Sequence, residues 1–151
     1  MANALLGRPM EILLVEDNRL DARLAFEALH DCQIKHRLTL IPDGREAMMF
    51  LRQESYFARA PRPDLILLDL NLPGHDGREI LREIRQDYVL NDIPIVILTA
   101  SRDEEDRLRS DLFQVEGYMT KPVNIAKFIG LVRSLMAYLD EEVILPNEVL
   151  L

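Results

Sequence analysis

The stretch Leu65-Ile66-Leu67-Leu68-Asp69 decides the fold. Four apolar residues follow one another without alternation and run directly into an acid. A strand with one wet face alternates polar and apolar residues, so an unbroken apolar run of this length predicts a strand covered on both faces. Two other runs share the form. Ile12-Leu13-Leu14-Val15 leads into Glu16-Asp17, and Ile95-Val96-Ile97-Leu98 leads into Thr99. Two weaker strands flank them. Arg37 to Ile41 alternates as an edge strand does, and Val115 to Thr120 is mixed and stops at Lys121-Pro122, because proline has no amide for a sheet ladder.

Helix starts lie between these runs. Asp43-Gly44-Arg45-Glu46, Asp76-Gly77-Arg78-Glu79 and Ser101-Arg102-Asp103-Glu104 each set a capping oxygen three residues before a glutamate. Asn18 with Asp21 is a looser version, and Asn124 is placed to cap the last helix. In that helix Ile125, Phe128, Ile129, Val132, Leu135, Met136 and Leu139 form the stripe expected to face the core. Phe26, Met48, Met49 and Phe50 are expected in the core as well. The order is β-α five times over, which predicts an α/β fold: a doubly wound, five-stranded parallel sheet. The two most polar strands belong at its edges, giving the order 2-1-3-4-5. Gln53 to Pro63 is a long link stiffened by Pro61 and Pro63. Residues 1–9 read as a lead, 10–139 as one domain and 140–151 as an extension.

The chain has 151 residues, 48% of them hydrophobic, and a net charge of −8. That is enough chain to bury a core, and far too apolar for disorder. No run approaches the length of a membrane-spanning helix, so no membrane association is expected. Met1 to Pro9 lacks the features of a signal peptide, which places the chain in the cytoplasm. Cys32 stands alone and excludes an internal disulfide, while His30, His36 and His75 share no metal-ligand spacing. Net acidity argues against direct nucleic-acid binding through a general basic surface. Half of the net negative charge sits in Asp140 to Leu151, which also holds Val143, Ile144, Leu145, Val149 and Leu150.

In a sheet of this kind ligands bind at the carboxyl ends of the strands. Four strands deliver Glu16, Asp17, Asp69, Thr99 and Lys121 to that edge. Carboxylates held close together repel unless a cation compensates, and Mg²⁺ favours such oxygen sites. A carboxylate nucleophile, a metal, an ammonium and a hydroxyl are the parts of a phosphoryl-transfer site.

These residues resemble a response-regulator receiver domain of the flavodoxin-like fold, and the likeness runs roughly from Pro9 to Leu139. Its pattern is Glu16-Asp17, then Asp69-Leu70-Asn71-Leu72-Pro73 with Gly77, then Thr99-Ala100, then Tyr118-Met119-Thr120-Lys121-Pro122. The resemblance implies that Asp69 is the phosphoacceptor. It further implies that Asp17, Asp69 and the Asn71 main-chain carbonyl bind Mg²⁺ (or Mn²⁺), with Glu16 acting through water. Lys121, Thr99 and the Ala100 main-chain amide would stabilise the phosphoryl group. Thr99 and Tyr118 would form the switch, Tyr118 turning inward on phosphorylation, and Pro122 would follow a cis bond.

The long link, Ala60-Pro61-Arg62-Pro63, Asn91-Asp92-Ile93-Pro94 and the C-terminal extension are similar to cyanobacterial phytochrome-associated single-domain regulators. That narrower likeness implies a phytochrome-type sensor histidine kinase as donor, and homodimers. Their tails often carry an aromatic residue, and this one does not. The expected dimer face joins the fifth strand and last helix to the tail, through Leu131, Tyr138, Val143, Ile144 and Leu145. The tail folding back over its own domain is the alternative. Among other functions, an aspartyl-phosphate phosphatase would need an acid at Asn71, and a GTPase would need a phosphate loop that is absent. An unphosphorylated adaptor would not need the full residue set. The downstream target is not named by the sequence.

Overall fold

The computed structural model describes residues 8–31, 34–72, 75–99, 115–121 and 124–134. Strand β1 (Met10–Val15) is followed by helix α1 (Arg19–Asp31), then β2 (His36–Ile41) and α2 (Gly44–Leu51). Strand β3 (Leu65–Asp69) leads through a short antiparallel ribbon, Asn71–Leu72 against His75–Asp76, into α3 (Gly77–Gln86). Strands β4 (Ile95–Thr99) and β5 (Gly117–Thr120) precede helix α4 (Ile125–Ser134). The five strands are parallel and lie in the order β2-β1-β3-β4-β5, as expected.

The unbroken apolar runs have a direct cause. Leu13, Val15, Ile66, Leu68, Ile95 and Ile97 belong to one core, with Met48 and Phe50 of α2 and Ile80, Leu81 and Ile84 of α3. Their immediate neighbours Ile12, Leu14, Leu65, Leu67, Val96 and Leu98 belong to a second core, with Ala22, Ala25 and Leu29 of α1 and Phe128 of α4. Successive side chains of a strand point to opposite faces, so a sheet packed on both sides needs an apolar residue at every position.

The caps form where the sequence places them. Asp43 accepts from the amides of Arg45 and Glu46, Asp76 from Arg78, Asn18 from Asp21 and Asn124 from Lys127. The expected start at Ser101-Glu104 lies outside the described residues. The link after α2 is a built turn. Gln53 and Ser55 take left-handed backbone conformations, Gln53 Nε2 donates to Ala60 O at 2.7 Å, and Phe57 meets Phe50 edge to face at 5.4 Å.

Three core expectations need correction. Phe26 is 54% exposed. The buried face of α1 runs through Ala22, Ala25 and Leu29, spaced three and four apart, and Phe26 is one step round the helix from it. In α4 the buried centre is Phe128, and Ile125, expected on the core stripe, is 36% exposed. Leu131, expected on a separate outer track, packs against the second core over Gly117. A Cβ at Gly117 would stand 2.6 Å from Leu131 Cδ2, so the glycine makes the space that turns Leu131 inward.

Candidate functional site

Strands β1 and β3 end in carboxylates at the same edge of the sheet. Beyond β1 the chain turns at once. Glu16 Oε2 accepts from the Asn18 amide at 3.1 Å, while Asn18 Oδ1 caps α1, so one short segment fixes the carboxylate and starts the helix. Glu16 is buried and Asp17 is exposed. At the end of β3, Asp69 is buried, and its Oδ1 accepts from the Asn71 amide at 3.1 Å. That bond is set by the ribbon. Gly77 N donates to Leu70 O at 2.9 Å, which draws the start of α3 against the chain just past Asp69.

Lys121 follows β5 and reaches back across the sheet edge. Its ammonium lies 2.7 Å from Glu16 Oε1, 3.1 Å from Asp69 Oδ2 and 3.1 Å from Asp21 Oδ2. Glu16, Asp17 and Asp69 bring one oxygen each to within 4.8 Å of one another. The cleft above them is lined by Asp17, Asn18, Asp21, Asp69, Asn71 and Lys121.

The electrostatics follow from the crowding. Burial pushes the Glu16 carboxyl up to about 7, and the Asp69 carboxylate beside it pushes the same way against the opposing pull of Lys121. Burial alone would lower the Lys121 ammonium, but contacts with Glu16, Asp21 and Asp69 outweigh it and hold the group above the ordinary lysine range. The ammonium is paired with Glu16 Oε1 at 2.7 Å, and among the described residues this buried oxygen has no hydrogen bond of good geometry. An acceptor-only oxygen in that position, beside two further carboxylates, suits a divalent cation.

Of the residues expected here, the fold brings together Glu16, Asp17, Asp69, Asn71 and Lys121. Leu98 pairs with Asp69 in the sheet, and the Thr99 backbone pairs with Thr120. The side chain of Thr99, together with Ala100 and Pro122, lies outside the described residues, as do Tyr138, Val143, Ile144 and Leu145. Tyr118, expected to turn inward on phosphorylation, is already packed in the first core, since it pairs with Ile97 and shares its face. The sequence marks Asp21 only as part of a cap, yet it is a partner of Lys121.

A larger cleft opens at the opposite edge of the sheet, where its charges are spent on one another. Arg8 bonds Asp64 at 2.7 and 2.8 Å, Arg37 meets Glu11 at 2.9 Å and Arg62 meets Asp92 at 2.7 Å.

The sheet order, the acidic cluster and the lysine that spans it define a class. The chain belongs to the family described as the response regulator receiver domain, which it matches over residues 12–133. Its relatives are regulators of two-component signalling. It is 45% identical to the response regulator Rcp1 of Synechocystis sp. over 138 residues, 91% of this chain and 94% of Rcp1. The Mn²⁺-bound structure of Rcp1 matches with a TM-score of 0.70 and 45% identity, over 91% of this chain and 99% of that one. The phosphorylated cyanobacterial phytochrome response regulator RcpA matches at 0.71 and 44%, over the same 91% of this chain and 99% of its own. The bacteriophytochrome response regulator AtBRR matches at 0.80 and 37%, over 85% of this chain and 93% of that one. Among the described residues, no helix is long and apolar enough to cross a membrane.

Proposed function

We propose that this receiver takes a phosphoryl group onto Asp69 from a phosphohistidine of a phytochrome-type sensor histidine kinase, in the cytoplasm where ATP-dependent phosphorylation takes place. The observation that carries the reading is the Lys121 ammonium held at 3.1 Å from a buried Asp69 carboxylate at the end of the central strand. The phytochrome assignment rests on the likeness to Rcp1, RcpA and AtBRR.

An oxygen of Asp69 forms a bond to phosphorus as the bond from phosphorus to the histidine nitrogen breaks, and the imidazole leaves with the electron pair. The Asn71 amide holds one Asp69 oxygen at 3.1 Å and so fixes the carboxylate's orientation. Lys121 supplies positive charge where the phosphoryl oxygens arrive, and Thr99 with the Ala100 amide donates to them after transfer. Asp17, Asp69 and the Asn71 carbonyl would hold Mg²⁺ directly and Glu16 through water. When bound, the ion neutralises charge on the transferring group. Apart from its own phosphorylation and dephosphorylation the protein catalyses nothing.

Output is a changed surface around Thr99 and Tyr118, read by a downstream protein. Pairing of two copies through β5, α4 and the segment holding Tyr138, Val143, Ile144 and Leu145 would present that surface twice. With Leu131 turned inward, Ile125 is the exposed large hydrophobic residue on the described part of that helix. Acetyl phosphate in the presence of Mg²⁺ should add one phosphate by intact mass, and EDTA should abolish it. Undiminished labelling of Asp69→Asn overturns the assignment. Sedimentation equilibrium of the full chain against a form ending at Asp140 tests the pairing, and a monomer at high micromolar concentration removes it.

A further inference from the structure

We propose that Asp21 is a positioning residue for phosphoryl transfer: it holds the Lys121 ammonium at the mouth of the site, where the phosphoryl group arrives. The proposal rests on the reading of Asp69 as phosphoacceptor. Lys121 has three carboxylate neighbours, and they differ in depth. The Glu16 side chain is 1% exposed and the Asp69 side chain 3%, whereas Asp21 is 29% exposed and lines the cleft. Glu16 therefore pulls the ammonium inward and Asp21 pulls it outward. The Lys121 ammonium donates a hydrogen bond to Asp21 Oδ2 at 3.1 Å, and it lies 2.7 Å from Glu16 Oε1 as an ion pair.

Asp21 is itself held in place. Its amide is bonded to Asn18 Oδ1 at 2.9 Å in the capped first turn of α1, so the carboxylate projects from a fixed point. It also stands outside the group of Glu16, Asp17 and Asp69 that can close on a single cation. A cation at that cluster leaves Asp21 outside it, as the carboxylate that keeps Lys121 in position. Lysine is a point charge on a flexible four-carbon stem, and without an outer anchor the stem lets the ammonium sink toward Glu16. Pre-positioning the charge removes that reorganisation from the transfer step.

The test compares wild type with Asp21→Ala, Asp21→Asn and Asp21→Glu, using acetyl phosphate and Mg²⁺ on the full chain. The initial rate of phosphorylation should fall about ten-fold in Asp21→Ala and Asp21→Asn, with the final stoichiometry still one phosphate per chain. Asp21→Glu, which keeps the charge, should recover most of the rate. In parallel, the ammonium resonance of Lys121 in nitrogen-detected NMR should shift in Asp21→Ala and Asp21→Asn without any donor present. Wild-type or faster rates in Asp21→Ala overturn the proposal. If the wild-type chain takes no phosphate at all, the reading of Asp69 has failed. The NMR comparison then decides on its own, and an unmoved Lys121 resonance overturns the tether.

Discussion

Gly77 and Leu70 touch backbone to backbone: the Gly77 amide bonds Leu70 O at 2.9 Å, and a Cβ on Gly77 would stand 2.5 Å from Leu70 Cα and 2.8 Å from Asp69 O. Helix α3 thus begins against the main chain of the proposed phosphoacceptor, with room for a hydrogen atom only. Gly77→Ala must push α3 away from Asp69. It should lower stability by roughly 3 kcal/mol and slow labelling at Asp69, as read by urea unfolding and by mass. An alanine variant with wild-type stability would show that the ribbon yields easily.

Glu16 links the site to pH. Its folded-state pKa of about 7 lies above the ordinary 4.5, so between those values the folded chain holds a proton that the unfolded chain has released. Stability then falls as pH rises through that window. In EDTA the melting temperature of wild type should drop from pH 5 to pH 7.5 more steeply than that of Glu16→Gln, whose amide mimics the protonated acid. Millimolar Mg²⁺ should flatten the difference, since the ion favours the ionised carboxylate. Parallel curves for the two proteins in EDTA would contradict the assignment.

The packing of Leu131 on Gly117 is open to a double-mutant cycle. Gly117→Ala alone places a methyl 2.6 Å from Leu131 Cδ2 and should destabilise by about 1–2 kcal/mol. In a Leu131→Ala background the same change should be nearly neutral, because the clashing atom is gone. Additive effects would return Leu131 to an outward position.

At the far edge, Asp64 accepts from Arg8 twice and from the Glu11 amide at 2.7 Å, tying the residues before β1 to the entry of β3. Asp64→Ala should cost about 1–3 kcal/mol, because it removes two charge-assisted bonds from Arg8 and one bond from the Glu11 amide. Phosphate incorporation at Asp69 should be unchanged under conditions where the variant is folded. A parallel loss of labelling would mean that the two sheet edges are coupled.

The sequence makes the central strands legible because burial on both faces leaves a signal that does not depend on distant partners. The capping residues Asn18, Asp43, Asp76 and Asn124 are legible for a similar reason, since each bonds an amide two or three residues on. The seat of α1 is not. Its buried face is largely Ala22, Ala25 and Ala28, small residues that bring the helix close to the sheet but barely mark a hydrophobic stripe. Phe26, the bulkiest apolar residue in the helix, lies off that face. Asp21 escaped for another reason. Its partner Lys121 is 100 residues away, and no local spacing records a contact that only the crossover topology creates.

The sheet is a partition between two hydrophobic compartments. Tyr118 and Met119 are neighbours in β5, yet one is packed with Ile97 and Ile80 and the other with Leu98 and Phe128. A void opened on one side has no access to side chains on the other that could relax into it. The two halves can therefore be repacked separately, and volume changes in one should add to those in the other. Strands β1, β3, β4 and β5 each supply wall to both rooms, so a movement along any one of them registers in both at once.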